Sequence, residues 1–259
     1  MIGIGIGVDR RPPSSGGASF DADYQAVLSY ATTQGYTLPS AGQQTLQNQL
    51  VVDLKAGGIW SKLDTFAVFA TDGNSDFALI DWIRLTQYTA VNSPTFTTNV
   101  GFEGNGTSSY VDTNFNPSTS GVNYTLNDAS RYFFPHAFNS TGRMDGTTVT
   151  GPNTMRRSFF SGQTINAGGS VVVPSFDYTA VINPKSIHRT SSTSIDLYNG
   201  TVGTTGVQTS TSILNSNQFV LRASSAYALH TASAYAMGAS LVAENTDFVN
   251  AYNTYKSAL

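Results

Sequence analysis

The 259-residue chain contains no cysteine, which excludes disulfide bonds and thiolate metal sites. Charged residues make up 11% of it, less than half of the roughly 25% that is usual in soluble domains. The formal net charge is −3 and there is no basic stripe, so we expect no nucleic-acid partner. No apolar run approaches the roughly 18 residues of a membrane span, so we expect no membrane partner either. Residues Met1–Val8 are too short and glycine-rich for a signal-peptide core, and we expect no such leader.

Serine, threonine, asparagine and glycine take the place of the missing charges. Hydrophobic residues make up 40% of the chain and aromatic residues 12%, which argues against disorder because disordered segments have few aromatics. A chain of this length fits one large β domain, or one domain with a small appendage, and can bury a core without metals or disulfides. The composition therefore predicts a β-rich protein with a neutral, hydroxyl-lined surface.

The strongest local signal is a hairpin near residue 200. Asn199 and Gly200 lie between alternating apolar residues, and these two residue types tolerate best the positive φ angles of a type I′ turn. If Asn199 and Gly200 form the loop, Leu197 lies opposite Val202. Period-two alternation then predicts a buried face with Ile195, Leu197 and Val202, and an outer face with Asp196 and Tyr198.

The chain divides into three predicted segments, which are an extended arm and linker at 1–17, a helical head segment at 18–76 and a β-sandwich at 77–259. Beyond about residue 77 the hydrophobic period becomes two, in short strands separated by clusters of Gly, Pro, Asn and Ser. Such spacing is typical of an antiparallel sandwich or barrel. A terminal helix over Asp247–Ser257 closes the chain. We therefore predict a mainly β fold with a small helical segment near each end.

Helix signals dominate the segment 18–76. Asp21 or Ser19 can cap a first helix, and Ser40 with Gln43 forms a capping box for a second. A third apolar stripe follows the helical spacing and predicts a third short helix over Ile59, Leu63 and Phe66.

The amino-terminal arm alternates strictly between β-branched residues and glycine. One interpretation is a frayed terminus. The other is an anchor that adds a strand to the sheet edge of a neighbouring subunit within a symmetric homo-oligomer. The anchor residues on this hypothesis share one face of the strand and are Ile2, Ile4, Ile6 and Val8.

Few residues suggest chemistry. Glycoside hydrolysis needs two carboxylates beside the scissile bond, but the glutamates Glu103 and Glu244 have no acidic neighbour two residues away. The segment Asp112–Asn116 resembles half of a calcium loop, but Pro117 replaces the required glycine and no bidentate glutamate follows. The histidines lack the spacing of metal ligands, and we interpret them as structural: His136, His188 and His230. We therefore expect no catalytic, cofactor-binding or metal-binding residues, and expect the protein not to be an enzyme.

The densest aromatic run is Arg131–His136. Tyr132 and Phe134 share one face of a strand and Phe133 lies on the other, so at least one ring belongs to the core. A ring left outside, beside Ser, Thr and Asn loops, would suit stacking against a sugar. The candidate glycan contacts are Tyr132, His136 and Tyr198.

Several segments, in this order, resemble a laminin-G-like or concanavalin-A-like jelly roll: Gly101–Thr113, Ser186–Ser192, the hairpin with its Asn-Gly turn, Asn217–Arg222, Tyr235–Leu241 and the terminal helix. The chain as a whole is similar to accessory virion proteins of tailed bacteriophages, in which a Gly/Ile-rich amino terminus and a helical segment like Leu50–Lys62 precede a lectin-like sandwich.

This resemblance implies a structural protein displayed on the surface of a virion, anchored by its arm to other capsid or tail proteins, with no cofactor. The alternative is a lectin-like module of the tail or fibre that binds host glycans or receptors. A third class, an enzyme that acts on surface polysaccharide, would require two carboxyl groups within catalytic distance.

Overall fold

A computed structural model describes residues 19–139, 143–148, 153–156, 163–168 and 182–259. Within these residues the protein is mainly β, with antiparallel sheets and few helices. The helices are α1 (Ala22–Gln34), α2 (Ala41–Ala56), α3 (Ser75–Ala78), α4 (Pro117–Ser120), α5 (Asn245–Ser257) and a 3₁₀ turn at Trp60–Lys62. The strands are β1 (Leu63–Val68), β2 (Ile80–Asp81), β3 (Thr86–Gln87), β4 (Thr89–Val91), β5 (Thr95–Thr97), β6 (Gly101–Glu103), β7 (Tyr110–Asp112), β8 (Ala129–Ala137), β9 (Arg143–Gly146), β10 (Asn153–Arg156), β11 (Thr164–Ile165), β12 (Lys185–Arg189), β13 (Ser194–Asn199), β14 (Val202–Val207), β15 (Phe219–Val220), β16 (Arg222–Ala223), β17 (Ala226–Tyr227) and β18 (Thr231–Gly238).

The first sheet has its strands in the order β14-β13-β12-β8-β18-β6-β5. Strand β18 pairs along one side with β8. Its other side is shared, because residues 231–232 pair with β6 and residues 234–238 pair with β1. Both faces of β8 and β18 are buried, as expected of strands at the centre of a layered domain.

The second sheet has the order β11-β10-β9-β15-β7-β4 and packs against one face of the first. Apolar side chains from both sheets form one core between them, as in a sandwich. Its members on the first sheet include Phe102, Phe133, Ile187, Ile195 and Tyr235, and those on the second include Val111 and Val220.

The helices α1, α2 and α5 cover the opposite face of the first sheet, so the layers run helices, first sheet, second sheet. Alternation along β8 explains this arrangement, since Tyr132 and Phe134 pack among the helices while Phe133 packs between the sheets. The predicted division of this aromatic run between two faces is therefore confirmed. Both predicted caps are also present: Asp21 accepts a hydrogen bond from Asp23 N–H at α1, and Ser40 accepts one from Gln43 N–H at α2.

The predicted third helix is wrong. Leu63–Val68 is strand β1, and all six of its residues are buried. Burial on both faces removes the alternation that identifies a strand, so the spacing of Ile59, Leu63 and Phe66 imitated a helix. Because β1 lies within residues 18–76 and pairs with β18, the helices and the first sheet share a core across the predicted boundary at residues 76/77.

The hairpin forms one residue away from its predicted register. Asn199 pairs with Val202 and Tyr198 with Gly203, so Gly200 and Thr201 form the turn, and Gly200 has a φ of 64°. Asn199 stays in the strand because it also pairs with Lys185 on β12. A slip of one residue moves every side chain of β14 to the other face. Consequently Ile195 and Leu197 are buried as predicted, whereas Val202 is 69% exposed.

Several predictions fall outside the described residues. These are the arm and linker at 1–17, with its anchor residues Ile2, Ile4, Ile6 and Val8.

The terminal helix is present but begins at Asn245, two residues before its predicted start.

Candidate ligand-binding face

The outer face of the second sheet carries a group of aromatic side chains around one arginine. Tyr110 on β7 and Phe219 on β15 lie on this face because their strand neighbours Val111 and Val220 point into the core, where both are fully buried. We call the group of Tyr110, Phe219, Arg222 and Tyr227 the Arg222 cluster.

Arg222 lies over three rings. Its guanidinium carbon is 4.5 Å from the ring centroid of Tyr110, 4.9 Å from that of Phe219 and 5.3 Å from that of Tyr227. The rings also contact one another, with centroids 5.1 Å apart for Tyr110 and Phe219 and 6.1 Å apart for Tyr110 and Tyr227. Phe219 is buried, while Tyr110, Arg222 and Tyr227 are each half-buried. The cluster therefore offers a partly exposed aromatic surface with a cation fixed on it.

A short hairpin holds Arg222 in this place. Arg222 on β16 pairs directly with Tyr227 on β17, and the residues on either side of β16 have left-handed backbone, with φ of 68° at Leu221 and 54° at Ser224. Left-handed conformations at residues other than glycine cost roughly 1–3 kcal/mol and cluster at functional sites. Leu221 N–H is held by Met144 carbonyl at 2.7 Å, and Ser224 N–H donates to Thr147 carbonyl at 2.6 Å.

Polar groups lie next to the cluster on the same face, and one of them is the carboxylate of Asp112. Asp112 is two residues from Tyr110 along β7, and its carboxylate accepts hydrogen bonds from the Asn217 amide at 3.1 and 3.3 Å. Thr89 on β4 pairs with Asp112 and accepts a hydrogen bond from Asn114 Nδ2 at 2.9 Å. The face thus combines ring surfaces with hydroxyl, amide and carboxylate groups, all of which can form hydrogen bonds with the hydroxyl groups of a sugar.

The three predicted glycan contacts do not form one exposed site, although Tyr132 and Tyr198 lie on either side of Ser186 in the first sheet. Tyr132 is fully buried among the helices, where its hydroxyl donates to Asn245 Oδ1 at 3.0 Å, so its prediction as a surface contact is wrong. Tyr198 is half-buried, with its ring centroid 5.3 Å from that of His188. His136 is exposed near the end of β8, where partial burial and, to a lesser extent, Lys256 lower its pKa.

His188 and Ser186 lie side by side, but they cannot act as a catalytic base and nucleophile. Its Nε2 lies 2.9 Å from Ser186 Oγ, and its Nδ1 accepts the Leu241 N–H at 3.1 Å. Because Nδ1 is used as an acceptor, Nε2 carries the proton and donates to Ser186, so neither nitrogen can accept the serine proton. Complete burial lowers the pKa of His188 to about 3.

The described part of the chain contains no group of three His, Asp or Glu side chains placed to hold a metal ion. In the calcium-like segment, Asp112 accepts from Asn114 N–H at 2.8 Å and Asn116 accepts from Ser118 N–H at 3.1 Å. These side chains therefore serve as turn and helix caps. Among the helices in the described ranges, none has both the length and the apolar character of a membrane span.

Little in the sequence pattern indicates the Arg222 cluster. Alternation places Tyr110 and Asp112 on one face of a strand, which was a usable signal. The cluster nevertheless joins residues from four strands, and Tyr110 lies more than a hundred positions before Phe219, Arg222 and Tyr227. Only the pairing of β7 with β15 and of β16 with β17 brings them together.

No family model matches the chain. No curated protein matches it by sequence either. Among solved structures, domain 4 of AbnA, a GH43 extracellular arabinanase from Geobacillus stearothermophilus in complex with arabinotriose, is 13% identical with a TM-score of 0.40, over 73% of this chain and 98% of that domain. Trypanosoma rangeli sialidase in complex with sialic acid is 11% identical with a TM-score of 0.43, over 83% of this chain. The match spans 40% of the sialidase chain.

The expectation that the protein is not an enzyme is contradicted by these comparisons, because the similar structures belong to glycoside hydrolases. At 10–13% identity and TM-scores of 0.40–0.43, the likeness assigns neither a reaction nor a substrate to this chain.

Proposed function

We propose that the protein is a carbohydrate-binding module built on a jelly-roll sandwich of the lectin kind. The path of the chain supports the jelly roll, because consecutive strands change sheets: β6 and β8 lie in the first sheet, while β7 and β9 lie in the second. Antiparallel strands that alternate between two packed sheets are characteristic of this class.

The observation that carries the proposal is the Arg222 cluster on the outer face of the second sheet. Sugars present apolar ring faces edged by hydroxyl groups, so they bind to exposed aromatic rings beside neutral hydrogen-bonding groups. Tyr110 and Tyr227 supply half-buried rings, and Thr89 and Asn217 lie on neighbouring strand and loop positions. In the first sheet, by contrast, Tyr132, Phe133 and Phe134 are completely buried.

The test is glycan binding by the full chain. We expect saturable binding on a glycan array and by titration calorimetry, and about tenfold weaker binding for Tyr110→Ala and for Tyr227→Ala, because ring contacts contribute roughly 0.5–1.5 kcal/mol beyond area burial. Tyr30→Ala is the matched control, since Tyr30 is a half-buried tyrosine on α1, in the helix layer, that contacts Tyr36. The proposal fails if the wild-type protein binds no glycan, or if Tyr30→Ala weakens binding as much as the other two variants.

Display on a phage particle stays a prediction. It rests on the resemblance of the whole chain to accessory virion proteins and on the alternating Ile/Gly arm at residues 1–17. On that hypothesis the arm would contact other virion proteins, and the second sheet would present its outer face to host glycans. Assembly into a homo-oligomer is part of the same prediction.

A further inference from the structure

Arg222 differs from Arg84, Arg131 and Arg189 in the groups that its guanidinium contacts. Arg84 lies over the Phe115 ring but also forms a 2.6 Å ion pair with Asp81. Arg131 pairs with Asp145 at 3.0 Å. Arg189 donates to the carbonyl groups of residues 165, 191 and 208. In the described part of the molecule, no carboxylate lies within 4.0 Å of the Arg222 guanidinium.

Most of the N–H donors of Arg222 have no partner among the described residues. An arginine has five N–H donors, and in Arg222 only Nε donates to a described residue, the Ser224 carbonyl at 2.9 Å. The terminal nitrogens Nη1 and Nη2 have no hydrogen-bond partner within the described ranges. Asp112, an acid on the same face of the sheet, forms no ion pair with Arg222, and its carboxylate accepts hydrogen bonds from Asn217 Nδ2 and Asn114 N–H. Among the described residues, the Arg222 guanidinium therefore forms no direct ion pair with a carboxylate.

The position of this charge is fixed before any ligand arrives. Three rings contact the guanidinium, and the hairpin from Arg222 to Tyr227 holds its backbone. A guanidinium held in this way loses little conformational entropy on binding, and its planar fork matches a carboxylate through two parallel hydrogen bonds. Since the formal net charge of the chain is −3, attraction for an anion comes from this local group and not from the field of the whole protein.

We propose that the ligand is an acidic saccharide, and that Arg222 binds the carboxylate of a sugar acid while Tyr110 and Tyr227 contact the sugar ring. This inference rests on the proposed carbohydrate-binding function and specifies its ligand class. Arg222 is then the residue that determines specificity for acidic over neutral glycans.

The experiment compares carboxylated glycans with the same glycans after chemical reduction of the carboxylate to a primary alcohol. The full-length protein is titrated with both sets, and so are Arg222→Gln, Arg222→Lys and, as a control, Lys62→Gln. Lys62 is a partly exposed cation that forms an ion pair with Glu244, and it does not belong to the Arg222 cluster. Thermal unfolding of each variant establishes that it is folded.

We expect the wild-type protein to bind the carboxylated set at least about tenfold more tightly than the reduced set, because charge-assisted hydrogen bonds are lost on reduction. Arg222→Gln should abolish this preference, Arg222→Lys should keep part of it, and Lys62→Gln should leave it unchanged.

Four results would overturn the inference, and they are distinguishable. Equal affinity for the carboxylated and reduced glycans, or a preference that survives in folded Arg222→Gln, removes the acidic ligand but leaves carbohydrate binding intact. Binding of neither set removes the proposed function as well. A preference for sulfated glycans over carboxylated ones would also reject the carboxylate as the bound group.

Discussion

At the scale of single residues, the buried imidazole of His188 makes the stability of the fold depend on pH. Its neighbours are Ser186, Tyr132, Tyr198 and the backbone N–H of Leu241. Burial keeps the imidazole neutral in the folded protein and lowers its pKa to about 3, whereas an unfolded histidine titrates near 6.5. Protonation would remove the acceptor at Nδ1 and place an unpaired charge in the helix-covered core.

We predict that acidification destabilises the fold through His188. The unfolded chain gains a proton as the pH falls below about 6.5, while the folded chain does not do so until about pH 3, so the stability present above pH 6.5 is lost progressively between these values. At pH 5 the loss is about 2 kcal/mol. Urea unfolding at pH 7 and pH 5 should show a smaller drop in His188→Gln than in the wild type, by about that amount. Equal drops in the two proteins would show that His188 does not titrate in this way.

At the scale of elements, β1 and β18 approach each other too closely for a side chain at Gly238. Gly238 pairs with Leu63 beside the bulge between Leu63 and Thr65. A Cβ at Gly238 would lie 2.1 Å from the Lys62 carbonyl oxygen and 2.8 Å from the Leu63 Cα. Both contacts are with backbone, which cannot move without disturbing the pairing of the two strands.

We predict opposite effects for two glycine substitutions. Gly238→Ala should destabilise the protein by about 1–3 kcal/mol, because the strands must separate to accept the methyl group. Gly42→Ala, within helix α2, should stabilise it by roughly 0.4–1 kcal/mol, because the only neighbour within 4 Å is Ser40 Oγ at 4.0 Å and alanine reduces the freedom of the unfolded chain. Urea unfolding midpoints measure both changes. If Gly238→Ala left the free energy of unfolding unchanged, β1 and β18 would not approach each other this closely.

Some elements could be predicted from the sequence because their determinants are local. The caps at Asp21 and Ser40 depend on residues two or three positions away, and the faces of Tyr132 and Phe133 depend only on alternation. Strand β1 could not, since burial on both sides erased its period. The turn lies one residue later than predicted. Asn199 pairs with Lys185, fourteen positions before it, and this pairing extends strand β13. The Arg222 cluster depends on still longer-range pairing, which alternation does not report.

At the scale of the whole molecule, an ion pair joins the two sheets inside their shared core. Arg131 on β8 of the first sheet contacts Asp145 on β9 of the second at 3.0 Å, and both side chains are completely buried. Tyr235 on β18 donates its hydroxyl to the other Asp145 oxygen at 2.7 Å. Charged groups in a core are tolerated only when paired and hydrogen-bonded, so Asp145 fixes how the sheets stack.

We predict that Asp145→Ala destabilises the protein by about 3–5 kcal/mol, because it removes the carboxylate from a buried arginine. Tyr235→Phe is the matched control, which removes one hydrogen bond to the same carboxylate and should cost about 1.5–3 kcal/mol. Denaturant unfolding followed by far-ultraviolet circular dichroism and by fluorescence measures both. A loss for Asp145→Ala no larger than that for Tyr235→Phe would mean that the ion pair contributes little to the sheet stacking.

The register of the hairpin formed by β13 and β14 affects how copies of the protein behave at high concentration. Strand β14 pairs on one side with β13 and, among the described strands, has no neighbour on its other side. Natural edge strands are usually guarded by lysine, proline or a bulge, but β14 consists only of valine, glycine and threonine, with Val202 and Val207 at 69% and 81% exposure. Two edges of this composition can join into one continuous sheet, and we expect Val202→Lys to reduce self-association of the protein at high concentration.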